Sequence, residues 1–169
     1  MLQINFYPES DKEEYIKAVK EYQDIWDKEG IKIVTAIEKY SKLAFKTKTI
    51  KVLVFEGISS SRPLRLRSSW DSNMKKVALT HELAHMILGD NNIKIPSGAS
   101  FQEELHKVIY LVLYDIWVDL FGENFAKASR DRECGNPVYK KAWDWALSFT
   151  KEERTIKFQE MRLKYQRNN

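Results

Sequence analysis

The chain has 169 residues, of which 43% are hydrophobic and 31% are charged, and its formal net charge is +4. Such a chain is typical of one globular domain with a substantial core, and no apolar run is long enough to span a membrane. A charge this mild does not by itself indicate a nucleic-acid partner. A single cysteine excludes an internal disulfide, and the first residues lack a signal peptide, so we predict a cytoplasmic protein.

The first part of the chain predicts one short strand and two helices. Residues 2–7 suit a strand. Ser10 and Glu13 form a capping-box pattern, which predicts the start of a helix, and Gly30 predicts its end. A second helix is predicted over 31–44, because apolar side chains recur there on one helical face.

Two strands are predicted next. Residues 49–56 are apolar and β-branched, which makes them the strongest strand pattern in the chain. Residues 63–68 alternate between apolar and basic side chains, which predicts a strand with one solvent-exposed face. Pro63 favours the start of that strand or an edge position in the sheet. Arg65 and Arg67 would lie on the exposed face.

Residues 81–85 read HExxH, within a segment over 72–88 whose apolar residues recur at helical spacing. Residues i and i+4 of a helix share one face, so His81 and His85 can bind the same metal ion. Glu82 would reach the position of a bound water, and its carboxylate can take a proton there. The expected metal is Zn²⁺, which makes such a water more acidic. The alternative is an amphipathic helix with two surface histidines.

A long helix follows, opened by a capping-box pattern at Ser100 and Glu103 and closed by Gly122. It is apolar almost all round, which is typical of a central, buried helix. The charged segment 123–137 is predicted to be irregular. Two further helices complete the chain, over 138–148 and 151–165.

A catalytic zinc ion needs a third protein ligand. Cys134 and His106 qualify by residue type. Asp115 projects from the opposite side of the long helix to His106, at about 100° per residue, and an unpaired charge among its apolar neighbours would be costly. We therefore predict Asp115 as the third ligand and Asp119, one turn later, as a hydrogen-bond acceptor for a ligating histidine. Glu104 is the fallback ligand, and a buried salt-bridge network is the alternative for both aspartates.

The HExxH motif at 81–85, followed by a ligand helix, resembles the zincin metallopeptidases. The spacing of Asp115 and Asp119 resembles that of the two acids in the gluzincin branch, with aspartate in place of its glutamate ligand. The small size of the chain resembles that of the minigluzincins. The resemblance covers residues 49–120. The fold that we expect is α+β, with a small, mostly antiparallel sheet packed on the HExxH helix and the long ligand helix, and with further helices flanking them.

The domain organisation that we predict is a single zincin-like domain over residues 1–169. It would comprise N-terminal helices in 1–48, a catalytic core in 49–122 and C-terminal helices in 123–169. The last helix, 151–165, either folds over the active site and restrains activity or, more simply, covers the core.

The function that we expect is that of a zinc-dependent endopeptidase acting on a peptide or protein substrate, with Glu82 as the general base. An extended peptide would pair with the strand at 63–68, where Arg65 and Arg67 would favour acidic substrate residues. The alternative is a metal-binding module with a regulatory or binding role. In that case a cluster of five basic residues would suit DNA, although such charges usually only contact solvent. The cluster comprises Arg62, Arg65, Arg67, Lys75 and Lys76. The sequence does not fix an oligomeric state.

Overall fold

The computed structural model describes residues 2–167, and within them the chain is an α+β protein with six helices and a four-stranded sheet. The strands are β1 (Gln3–Pro8), β2 (Thr49–Phe55), β3 (Ser60–Ser61) and β4 (Leu64–Arg67). The helices are α1 (Glu13–Ser41), α2 (Ser72–Asp90), α3 (Phe101–Phe121), α4 (Glu123–Glu133), α5 (Pro137–Leu147) and α6 (Lys151–Arg167). None of these helices is long and apolar enough to cross a membrane. The predicted α+β class is confirmed.

The sheet is mixed, with strand order β1-β2-β4-β3. β1 pairs with β2 in parallel, β2 pairs with β4 in parallel, and only β3 and β4 are antiparallel. The prediction of a mostly antiparallel sheet was therefore wrong. For β1 and β2 the reason is the long helix α1, which forms the crossover that a parallel neighbour of β1 requires.

β4 is an interior strand, so the edge position that was one alternative for 63–68 was wrong, whereas Pro63 directly precedes the strand, as the other alternative had it. β2 pairs with one side of β4, and on the other side Ser60 pairs with Arg65. The alternation within β4 is confirmed, because Leu64 and Leu66 are buried while Arg65 is exposed. A short strand that folds back onto β4 leaves little of its backbone for an added peptide.

α1 continues through Gly30, where the sequence predicted an end, and the predicted helix over 31–44 is the last part of α1. A Cβ atom added at Gly30 would lie 2.7 Å from a ring carbon of Trp26, which is closer than van der Waals contact allows. Gly30 therefore makes room for the indole of Trp26 inside a continuous helix and does not act as a C-cap.

The segment predicted to be irregular forms helix α4. Gly122, with a φ of 88°, ends α3 as predicted, and α4 begins at the next residue. The charges of this segment suit a helix because they pair along it: Lys127 Nζ lies 2.9 Å from Glu123 Oε1, one turn apart. Charge content alone predicted an irregular segment, and the spacing of the charges was the better signal.

The start of α6 follows the capping-box prediction. The backbone N–H of Thr150 donates to Glu153 Oε2 at 2.8 Å, and the backbone N–H of Glu153 donates to Thr150 Oγ1 at 3.3 Å. These reciprocal bonds satisfy N–H groups that the first turn of a helix leaves without partners.

The described chain divides into two compact units. The first comprises the described part of Met1–Thr35 together with Phe45–Asp90, and it contains the sheet and α2. The second comprises Ala36–Ala44 and the described part of Asn91–Asn169, and it contains α3 to α6. The predicted single domain, with its parts divided after residues 48 and 122, stays a prediction.

Glu56 joins the ends of β2 and β4 in the first unit. Its carboxylate accepts hydrogen bonds from Ser68 Oγ at 2.8 Å, Ser69 Oγ at 2.9 Å and Arg67 Nε at 2.6 Å. The bond from Ser68, helped by Ser69 and Arg67, lowers the pKa of Glu56 below its ordinary value of 4.5. Because Ser69 lies three residues before α2, this carboxylate fixes the chain that enters the HExxH helix.

We expect Glu56 to contribute stability that acid removes. A carboxyl group with a lower pKa in the folded state stabilises the protein above its unfolded pKa, and this stabilisation is lost as the pH falls through the folded value. Urea midpoints of the wild type and Glu56→Gln should therefore differ at neutral pH and converge as the pH falls below 4.5. A difference that stays constant over this range would contradict the assignment.

We also expect Gly30→Ala to lack the gain of about 1 kcal/mol that this change usually gives inside a helix. The new methyl group would collide with the ring of Trp26. In a Trp26→Ala background the collision is absent, so adding Gly30→Ala there should raise the free energy of unfolding. Urea titration of the four proteins measures both effects, and an equal gain in both backgrounds would show that the ring does not restrict this position.

Candidate metal centre

α2 carries the HExxH residues and is buried over most of its circumference. The sequence predicted this helix over 72–88, and α2 covers that range. His81 and Glu82 are only 6% and 7% exposed, so they are not the surface groups of an ordinary amphipathic helix. Polar groups that are buried this deeply need partners or an ion.

The two imidazoles of the motif lie on the same face of α2. The Nε2 atoms of His81 and His85 are 3.0 Å apart, and the rings are tilted by 51° with centroids 4.9 Å apart. The helical i, i+4 spacing produces this approach. Because both rings present the same nitrogen to one point, both can bind one ion through Nε2.

His106 on α3 is oriented by its own helix. Its Nδ1 lies 2.6 Å from the backbone carbonyl oxygen of Gln102. A carbonyl oxygen only accepts, so Nδ1 carries the proton and Nε2 of the neutral ring carries a lone pair. The rings of Tyr139 and Tyr110 flank the imidazole, with centroid distances of 4.1 and 5.4 Å. His106 is thus held in the tautomer that a metal ligand needs.

The three histidines of the chain form one cluster. The ligand atoms of His81, His85 and His106 all lie within 4.8 Å of one another, so these side chains can hold a metal ion. Imidazole nitrogens suit several first-row metals, and the donor set does not distinguish among them. Cys134, the other candidate by residue type, does not belong to this cluster among the described residues.

The structure gives Asp115 a different partner. Arg154 Nη2 lies 2.8 Å from Asp115 Oδ1 and 2.9 Å from Oδ2, and Arg154 Nε donates to Oδ2 at 3.1 Å. Arg154 also donates to the backbone oxygen of Phe149 at 2.8 Å. This is the buried salt bridge that was the alternative to metal binding, so the described structure places Asp115 outside the histidine cluster. Sequence reasoning missed Arg154, which lies far along the chain in α6.

The other acids predicted on α3 also have partners of opposite charge. Asp119 accepts from Lys39 Nζ at 2.8 Å, and this bond lowers the pKa of Asp119. Glu104, the fallback ligand, accepts from Lys107 Nζ at 3.0 Å and from Tyr165 Oη at 3.1 Å. These contacts account for both carboxylates without a metal.

Arg65 and Arg67 lie on the solvent-facing side of β4, as predicted. The guanidinium of Arg67 donates a hydrogen bond to Glu56 and lies 4.8 Å from the ring centre of Trp70. The guanidinium of Arg65 lies 5.8 Å from the ring centre of Phe55. The predicted role of the two arginines in substrate binding stays a prediction, but pairing of a peptide with β4 no longer supports it.

The remaining members of the basic cluster are not a continuous solvated patch. Lys75 is buried, and its ammonium donates to Glu21 at 2.5 Å and to the backbone oxygen of Trp70 at 2.6 Å. The guanidinium of Arg62 lies against Gly89, where a side chain would collide with it. Lys75 therefore serves the fold, whereas Arg62 is exposed.

Comparisons with known proteins do not place the chain in a family. No family model, no curated protein and no solved structure matches it. The resemblance to zincins therefore rests on the HExxH motif and its helix, and it stays a prediction.

We expect Asp115→Ala and His106→Ala to separate folding from metal binding. Asp115→Ala leaves Arg154 buried without its carboxylate, so the free energy of unfolding should fall by about 3–5 kcal/mol while metal affinity stays close to that of the wild type. His106→Ala should instead weaken the metal strongly. Titration against a competing chelator measures affinity, and urea unfolding measures stability.

The double variant Asp115→Leu/Arg154→Leu is the matched control, because replacing both members of a buried ion pair by apolar groups is often neutral. It should fold and bind metal like the wild type. Loss of metal from this folded variant would return the ligand role to Asp115.

Proposed function

We propose that this chain is a zinc-dependent peptidase whose metal is held by His81, His85 and His106 and whose general base is Glu82. The proposal depends on one observation: the ligand nitrogens of the three imidazoles lie within 4.8 Å of one another, next to a buried glutamate in an HExxH helix. His106 thereby takes the ligand place that the sequence assigned to Asp115.

Three nitrogen ligands suit a catalytic zinc site, because such sites have three protein ligands and one open position. When bound, zinc acts as a Lewis acid that polarises a carbonyl group and makes a bound water more acidic. The carbonyl of Gln102 supports this ligand set, because a hydrogen bond to the second ring nitrogen commonly fixes the tautomer of a ligating histidine. His85 is half-buried while the other two histidines are buried, so a substrate would approach from the side of His85.

Glu82 would accept a proton from the attacking water and return it to the nitrogen of the leaving amine. Its side chain adjoins His81 in the sequence and is buried, so its carboxylate can stay close to the reacting atoms. A site that only stabilised the fold would have no use for a base at this position. The substrate that we propose is a peptide or protein, in the cytoplasm, where a chain with a single cysteine is suited to reducing conditions.

In this proposal the last helix, α6, is not a lid over the site. α6 contacts α3 through Arg154 and Tyr165, which bind Asp115 and Glu104. Those acids lie on the side of α3 opposite to His106, at about 100° per residue. The contacts support the simpler alternative, in which the helix predicted at 151–165 covers a core.

Glu82→Gln is expected to keep the metal and lose hydrolysis. The histidines are unchanged, whereas an amide cannot accept the proton of water. Purified wild type and Glu82→Gln would be loaded with zinc, checked for about one ion per chain, and incubated with an unfolded protein and a peptide library. Products would be identified by mass spectrometry.

Wild-type activity in Glu82→Gln would exclude the general-base role. Tight zinc binding by a wild type that cleaves no peptide would instead favour the metal-binding module with a regulatory role. A wild type that binds no zinc would contradict both functions.

A further inference from the structure

The sheet of the first unit has one buried face and one face toward solvent. Ile4, Phe6, Val52 and Val54 are buried, and the residues between them point outward. The outward positions of the three longer strands are Gln3, Asn5, Tyr7, Thr49, Lys51, Leu53, Phe55, Arg65 and Arg67. No carboxylate occurs among them, although the chain contains 24 acidic residues. We call these nine residues the outer sheet face.

Two acids directly follow strands of this sheet, and both are engaged. Glu9 follows β1 and is a hydrogen-bond partner of Tyr15. Glu56 follows β2 and binds Arg67 and Ser68. The outer sheet face therefore keeps the positive charges of Lys51 and Arg65, and it attracts anions.

Aromatic rings lie beside these charges. Tyr7 is 46% exposed and is paired with Leu53, which is paired in turn with Arg65, so the three residues form one row across the sheet. Phe55 lies in the next row toward the strand ends, with the Arg65 guanidinium near its ring. Phe55 and Tyr7 are thus diagonal neighbours, roughly 8 Å apart between backbones, because neighbouring strands lie about 4.8 Å apart and two residues span about 6.6 Å. That spacing offers two stacking positions, one on the exposed Tyr7 and one on the half-buried Phe55.

We propose that the outer sheet face binds single-stranded nucleic acid. Two neighbouring bases would stack on Tyr7 and Phe55, and the phosphates beside them would lie near Lys51 and Arg65. Stacking on rings at the surface of a sheet needs unpaired bases, so the face fits a single strand better than a duplex. An acidic peptide would match the charges but would leave the two rings without a stacking partner.

This binding uses no residue of the histidine cluster, so it does not depend on the proposed peptidase function. Binding of a labelled single-stranded oligonucleotide to the full chain, measured by fluorescence anisotropy, should be unchanged by a metal chelator. Two phosphate contacts predict that the logarithm of affinity falls with the logarithm of salt concentration with a slope of about −1.4, since each contact contributes about −0.7 for single strands. The duplex of the same sequence and a polyglutamate peptide should bind more weakly.

Variants test the rings and the charges separately. Tyr7→Leu and Phe55→Leu keep an apolar side chain but remove the ring, and each should weaken binding about 5- to 150-fold, whereas Tyr7→Phe should bind like the wild type. Lys51→Gln and Arg65→Gln should each reduce the size of the salt slope by about 0.7. Lys20→Gln, at an exposed position of α1, is the matched charge control and should change neither quantity.

Four results would overturn the proposal: no binding of the single strand, equal or tighter binding of the duplex, equal or tighter binding of polyglutamate, or wild-type affinity in both leucine variants. Circular dichroism of each variant shows that it is folded. Should Phe55→Leu fail to fold, the exposed Tyr7 decides the test alone.

Discussion

The helical period of α2 is the constraint on which the candidate site depends. One turn separates His81 from His85, which brings their Nε2 atoms to 3.0 Å and places Glu82 next to the first of them. The helix is buried over most of its surface, so these polar groups cannot turn to solvent without moving the core. Anchors at both ends hold it: Glu56 binds the chain that enters it, and Asp90 accepts hydrogen bonds from the backbone of Lys46 and Thr47.

The two opposite sides of α3 carry different kinds of polar group. On one side, Asp115 binds Arg154, and the pair fastens α6 to α3. On the opposite side, His106 is held by a backbone carbonyl and by the ring of Tyr139. A buried acid and a buried histidine look alike as ligand candidates in the sequence, because both are costly unless satisfied. What distinguishes them is the partner, and Asp115 has a guanidinium.

Sequence reasoning succeeded where local chemistry gives one clear signal. It failed where distant contacts decide the structure, and also where a contact one turn away was overlooked, as at Gly30 and within α4. The HExxH helix, the end of α3 at Gly122 and the capping box of α6 all depend on residues within a turn or two of each other. The parallel sheet depends on the crossover through α1, and the glycine inside that helix was read as a stop because its neighbour Trp26 was not considered. The sequence correctly placed Asp115 and His106 on opposite sides of α3. Deciding which of them is the candidate metal ligand required the position of Arg154 on α6.

X-ray absorption at the zinc edge distinguishes the two candidates for the third ligand, His106 and Asp115. The full chain would be loaded with zinc and measured in solution, where the scattering pattern of imidazole rings differs from that of a carboxylate. The three-histidine site predicts three imidazole ligands and no protein carboxylate, from His81, His85 and His106. A spectrum with two imidazoles and one carboxylate, or a protein that retains no zinc, would contradict it.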